Sequence, residues 1–338
     1  MKKTIYTLAL GALLLAGCSQ EESLPTGEAV KMTFTANLST GIQSRADGEA
    51  IVSVDKLICA VFKQETNGEQ VSLVGEELIR DTVDVDVTTG KATFTPTLLK
   101  GYQYGIVFWA YKEGSTYYNT ENLANITFTP TTDEEPTVVD ENLIVYTCTK
   151  KNVSTSVSGN DLKVTLTRPL AQVNIATTES DWNMVEKMGG GTPSKAIITL
   201  TGCSNKYNAL TGEYGGNETF VYTINLDDEK KLSGTENILL GTGYTFPGSN
   251  VNCSISVMNH KEISVYSTEI PNLPTDGNYR TNIVPSTSTD EEGNTTGGLM
   301  TGSVSYEVTI SEGYTETVNK TPEELEEEAN QNNQGNNE

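Results

Sequence analysis

Residues able to do chemistry are few and scattered. The chain has 1 histidine, His260, in Met258-Asn259-His260-Lys261, a turn between two strand-like runs. Any Ser-His-Asp or Cys-His site would have to use it, and its neighbours are ordinary turn residues. A single histidine also rules out the common multi-histidine zinc sites. Asp84 and Asp86 alternate with Val83, Val85 and Val87. Two carboxylates at that spacing could face a cation, but on a strand they share the wet face while the valines turn inward. Gly189-Gly190-Gly191-Thr192 lacks the Lys-Ser/Thr ending of a phosphate loop and follows a helix-like stretch, so it reads as a helix stop. Asp181 beside Trp182 is the one carboxylate in an aromatic setting, and it fits the first turn of that helix. Cys59, Cys148, Cys203 and Cys253 are widely spaced, with no CxxC and no metal-type clustering, and read as free thiols. The expectation is no active site, no metal, no cofactor and no enzyme activity.

The elements around these residues are strands. Hydrophobic residues make up 36% of 338, with 15 Tyr and many Thr, Val and Ile, which favours β structure with solvated faces. Val30–Leu38 alternates, with Met32, Phe34, Ala36 and Leu38 on one face. Arg45 and Ala46 follow in a polar loop with no apolar period, expected to be open to proteases. Runs at 54–62, 71–74, 78–87 and 91–94 read as strands, with an Asn67-Gly68 hairpin turn. Tyr102–Tyr111 is the most apolar stretch after the leader and reads as a central strand buried on both faces. A polar stretch at 150–160 reads as a boundary. Beyond it come further strand-like runs and one helix, from Ser180 as cap to Gly189, with Met184, Val185 and Met188 on one face. Short strands punctuated by turns predict an all-β chain of two sandwiches, with the short helix in the second. The expected layout is a leader at 1–17, a tether and strand at 18–45, domains at 46–157 and 158–318, and a disordered acidic, Asn-rich tail at 319–338.

The first residues carry the most specific pattern. Lys2 and Lys3 precede a short apolar run at 8–16, which closes on Leu15-Ala16-Gly17-Cys18. This resembles the lipobox of bacterial lipoproteins, in which the thiol of Cys18 takes a diacylglycerol. The following Ser19-Gln20-Glu21-Glu22-Ser23 resembles the acidic export signal of surface lipoproteins in Bacteroidota. A formal net charge of -23 argues against nucleic acid as a partner.

The combination resembles the fimbrillin-like lipoproteins, the type V pilins and related proteins of Bacteroidota. The matching pieces are the lipobox, Ser44-Arg45-Ala46 after the first strand, the aromatic run 104–110 and Arg168-Pro169-Leu170-Ala171-Gln172-Val173-Asn174. The closing pattern also matches: Asn282-Ile283, Gly298-Leu299-Met300-Thr301 and 304–310. The resemblance implies two tandem transthyretin-like β-sandwich domains on a fimbrial subunit or accessory that supports adhesion. It implies an outer-membrane lipoprotein precursor cut between Arg45 and Ala46, and assembly with other fimbrial subunits by donor-strand exchange. Val304, Tyr306, Val308 and Ile310 would be the donor's apolar plugs. The acidic tail beyond Val318 departs from that pattern and leaves room for a surface lipoprotein that binds a glycan or host ligand without polymerising.

Overall fold

The structure is a computed structural model. It describes residues 28–38, 54–130, 141–155, 161–185, 187, 191–227, 230–232, 234–285, 288–289, 295–296, 306–312 and 318–320, with backbone only in the strands beyond 284. Cys18, Arg45, Ala46 and Val304 lie outside the described residues, as do 131–140 and 321–338.

The strands of the first half are β1 (Ala29–Lys31), β2 (Thr33–Leu38), β3 (Lys56–Asn67), β4 (Gln70–Asp84), β5 (Lys91–Phe94), β6 (Thr97–Leu99), β7 (Gln103–Tyr111), β8 (Tyr118–Asn119), β9 (Ile126–Phe128), β10 (Tyr146–Ser154) and β11 (Asp161–Leu166). The second half contributes β12 (Ala171–Thr177), helix α1 (Glu179–Val185), β13 (Pro193–Cys203), β14 (Lys206–Asn208), β15 (Glu213–Gly215), β16 (Glu218–Asn225), β17 (Ile238–Thr245), β18 (Val251–Asn259), β19 (Ser264–Leu273) and β20 (Tyr279–Pro285). Four more follow: β21 (Ser288–Thr289), β22 (Thr295–Thr296), β23 (Tyr306–Glu312) and β24 (Val318–Lys320).

Two sandwiches result, as the short alternating runs require. In the first, the sheet β10-β7-β3-β4 faces the sheet β11-β2-β5, and Phe108 of β7 meets Phe34 of β2 and Phe94 of β5 between them. In the second, β17-β12-β20-β23-β24 faces β16-β13-β18-β19. Gly241 of β17 comes so near the facing sheet that a Cβ there would lie 2.8 Å from the Cδ1 atoms of both Ile198 and Ile224, so a larger residue would make those side chains shift.

A third layer joins the halves. The sheet β15-β14-β9-β8 takes two strands from each, with Tyr207 of β14 opposite Ile126 of β9. It covers the outer face of β7, where Trp109 meets Tyr118 at 5.6 Å and Tyr207 at 6.1 Å. This is why β7 is buried along nearly its whole length, as its continuous apolar run predicts: Phe108 fills one interface and Trp109 the other. Phe128 extends the cluster into the second sandwich, its ring centroid 5.3 Å from that of Phe220 and 5.5 Å from that of Phe246.

Several expectations need correction. The two expected strands at 71–74 and 78–87 are one strand, β4, which passes Gly75 (φ 77°) at a bulge opposite Val61–Lys63. Residues 150–154, within the polar stretch read as a boundary, continue β10. Asp161–Leu166, expected to open the second domain, pairs in parallel with β2 and so lies in a sheet of the first sandwich. The helix is capped by Thr178, whose hydroxyl accepts from the Asp181 amide at 3.0 Å, and not by Ser180. Its buried face is Asp181, Trp182 and Val185, while Met184 is exposed. Val318–Lys320 pairs with β23, so strand structure enters the stretch expected to be a disordered tail.

Candidate functional site: the seat of the N-terminal strand

The expected strand at 30–38 is where the alternation places it. Val30, Met32, Phe34, Ala36 and Leu38 are buried, and the residues between them face outward. β2 is the middle strand of its sheet, parallel to β11 on one side and antiparallel to β5 on the other. The antiparallel register runs on from β5 into β6, with Val30 opposite Leu98. At the join, the Met32 amide donates to the Pro96 carbonyl at 3.0 Å, and Pro96, with no N–H to offer, sits where the partner strand changes name but not direction.

The apolar seats differ in size. Phe34 packs against Phe94 at 6.2 Å and Phe108 at 6.1 Å, and those two meet edge-on at 6.5 Å. Two residues on, Ala36 lies between Ala92 of β5 and Val164 of β11 in the register. Leu38 lies opposite Leu166 and over Gly90, whose φ of 63° turns the chain into β5, and its amide donates to the Gly90 carbonyl at 2.9 Å. Side-chain polar links to the strand are exposed or part-buried. Thr35 donates to Asp161 at 2.8 Å, Asn37 to the Val164 carbonyl at 3.4 Å, and Lys100 pairs with Glu28 at 3.0 Å.

The other expected plugs are Tyr306, Val308 and Ile310, and they lie in β23. This strand pairs antiparallel with β20 and carries β24 on its far side, inside the second sandwich.

The chemically capable residues are not brought together. His260 is exposed in the β18–β19 turn, 3.9 Å from Asp227, at a shallow depression of about 220 Å³ lined by Ser194, Lys195, Thr223, Asn225 and Glu262. Asp84 pairs with Lys56 at 2.8 Å, while Asp86 accepts from the Thr88 and Thr89 amides of its own turn. Cys59, Cys203 and Cys253 are buried free thiols and Cys148 is half-buried. Burial raises all four, Cys203 to about 11 and Cys253 to about 12, which keeps those thiols protonated and unreactive at neutral pH. Among the described residues no group of three His, Cys, Asp or Glu could hold a metal ion. No helix among them is long and apolar enough to cross a membrane.

A second cavity, of about 350 Å³, lies where the sandwiches meet. Thr147 and Thr149 of β10, Thr165 of β11 and Thr167 just after it line it, and the 207–212 segment lines it from the second half. Sequence reasoning missed this junction, because strands as short as Tyr118–Asn119 carry no readable period.

Fold and site together define an all-β protein of two joined sandwiches whose first sandwich is completed by a strand from the N-terminal end of the chain. The chain belongs to a family of unknown function, DUF6562, whose profile matches residues 25–332. No curated protein matches it. Solved structures show a distant likeness. A fimbrial assembly protein from Parabacteroides distasonis ATCC 8503 is 12% identical, over 87% of this chain and 99% of that one, with a TM-score of 0.44. A putative cell adhesion protein from Bacteroides eggerthii DSM 20697 is 12% identical over 83% and 95%, with a TM-score of 0.44. The fimbrial anchor protein Mfa2 from Porphyromonas gingivalis is 10% identical over 82% and 97%, with a TM-score of 0.40.

Proposed function

We propose that this chain is a structural or accessory subunit of a cell-surface fimbria, made as a lipoprotein anchored through Cys18 and matured by cleavage after Arg45. The observation that carries the reading is the seat of β2. It is a middle strand, yet it enters from the N-terminal side and is joined to the rest of its sandwich only through the segment that holds Arg45. One cut there severs its covalent link to the rest of the sandwich, and its departure would expose apolar seats and two strand edges at once.

The placement of the arginines supports the same cut. The sequence has four, and the other three are held in place. Arg80 lies in β4, paired with Glu77 at 2.8 Å. Arg168 is buried against Tyr146 and precedes Pro169. Arg280 is buried in β20. On this reading an arginine-specific protease would act at Arg45. The vacated seat would accept a strand from another subunit, giving a polymer outside the outer membrane, with no enzymatic activity of its own. N-terminal sequencing of protein recovered from the cell surface tests this. A start at Ala46 is the expected result, and a lipidated Cys18 on all surface copies sinks the cleavage step.

A second reading draws on β23. That strand already has neighbours on both sides within its own chain, which suits a surface lipoprotein that is complete by itself and binds a glycan or host ligand. Uncleaved chains on cells, together with reproducible hits on a glycan array, would favour it.

A further inference from the structure

We infer that the cavity where the sandwiches meet is a saccharide site, taking the end of a glycan that carries an acidic group. The inference deepens the second reading above, rests on it, and is independent of the cut at Arg45. Alternation builds the walls. Thr147, Thr149 and Lys151 are alternate residues of β10, and on the other strand Thr165 and Thr167 flank Leu166, which is buried in the core. The two strands belong to different sheets and are joined by a bridge between Thr147 and Thr167. The 207–212 segment closes the cavity from the second half, so the site takes residues from both halves of the chain.

The walls are fixed by their own hydrogen bonds. Thr149 donates to the Ala209 carbonyl across the junction, and Thr147 donates to the Phe108 carbonyl at 2.9 Å. The Asn208 side chain accepts from the Leu210 and Thr211 amides at 3.0 and 3.3 Å, which holds the turn in shape. The remaining polar groups face the cavity with little else to bond. Thr165 and Thr167 are exposed, and no described residue bonds their hydroxyls. Lys151 donates to the Val71 carbonyl at 3.3 Å, which leaves ammonium N–H groups for a ligand. A hydroxyl both donates and accepts, so a wall of hydroxyls suits a ligand that offers the same groups in return, as a sugar does. An apolar ligand would strand them. A cation would find no carboxylate, because none of the lining residues is Asp or Glu, in a chain with a formal net charge of -23. Lys151 is the one charged side chain in the lining and selects a sugar with a carboxylate or sulfate. The cavity's volume of about 350 Å³ is at the small end of ligand sites, which run from about 300 to 1,000 Å³, and this sizes it for the end of a glycan chain. A buried donor beside the wall adds an independent observation. The indole N–H of Trp109 has no hydrogen-bond partner among the described residues. Trp109 stands opposite Thr147 in the ladder, and its ring lies 6.1 Å from that of Tyr207, so two lining residues flank it. A ligand hydroxyl lodged between those two would accept from it.

The test is binding of the full chain to an array of neutral and acidic glycans, followed by titration with the strongest hit and with its carboxyl-reduced or desulfated form. Acidic hits are expected. Thr165→Val combined with Thr167→Val keeps the shape of both side chains and should weaken binding about 10-fold or more, since each lost hydrogen bond is worth about 3- to 10-fold. Lys151→Met should cost about 10- to 100-fold for the acidic glycan, leaving it no tighter than its neutral form. Thr223→Val, in the depression beside His260, should change nothing. These positions are exposed or half-buried, so Tm should match the parent, and lost binding at an unchanged Tm is a lost contact. Array binding that survives the double variant puts the glycan elsewhere and overturns this site while the second reading stands. Hits confined to neutral glycans overturn the role of Lys151 and with it the acidic ligand. No glycan bound at all overturns the site and the second reading together.

Discussion

The middle strands of the two sandwiches are held in different ways. In the second, β12 is buried on both faces and locked by polar groups: Gln172 donates to Asn174 at 2.9 Å, Asn174 donates to Asn282 of β20 at 2.7 Å, and Thr242 of β17 donates to Asn174 at 2.8 Å. In the first, β2 has its ladders and its apolar seats, and of the side-chain hydrogen bonds described for it one is exposed and one part-buried, none fully buried. A buried polar network admits one partner in one register, because any substitute strands donors and acceptors in a dry environment. An apolar seat accepts any side chain of suitable volume. The second sandwich holds its middle strand partly through buried polar groups, and the first holds its own through ladders and apolar packing.

That contrast can be broken at graded cost. Phe34→Ala in the uncleaved chain should lower stability most, by about 3–5 kcal/mol in chemical denaturation, because the facing rings cannot collapse into the gap. A loss under about 1 kcal/mol would mean that the seat is not tightly filled. Asn174→Ala should cost roughly 1–3 kcal/mol by leaving buried partners on Gln172, Thr242 and Asn282 unsatisfied. Its surface counterpart in β2, Asn37→Ala, should fall within about 0.5 kcal/mol of the parent. Equal losses at the two asparagines would erase the distinction. The smallest effect is acid-dependent. At Asp55 burial raises the carboxyl, but Lys112 at 2.8 Å and the Glu113 amide outweigh it and leave it below its ordinary value. A lowered carboxyl stabilises fully above its unfolded value, near about pH 4, and loses that contribution as pH falls through the folded one. Asp55→Asn should therefore cost less than about 1 kcal/mol at neutral pH, and the difference from the parent should shrink in acid. A difference that grows in acid would assign the wrong sign.

Much of this was readable in the chain. Val30–Leu38 alternates cleanly, so its buried face was legible residue by residue. The double burial of 104–110 followed from an apolar run with no polar face. The partners of β2 were not legible, because pairing is set by contacts far along the chain: Phe34 meets Phe94 and Leu162. The helix misled because Met184 and Val185 adjoin in sequence, whereas packing selected Trp182 and Val185, three apart on one face. The shared sheet was invisible because its ladder joins residues near 126 to residues near 207, through strands too short for a period.

The shared sheet also governs how the molecule would carry load. A pull entering through the first sandwich need not pass along the single covalent crossing near Thr167. It can spread through the β9–β14 ladder, the Ala209 amide on the Leu123 carbonyl and the Phe128 amide on the Asn205 carbonyl, with the aromatic cluster packed around them. Two sandwiches on a plain linker would act as beads on a string and bend at every joint. These two are tied by a shared sheet as well as by the chain, so bending at their junction must also disturb that sheet.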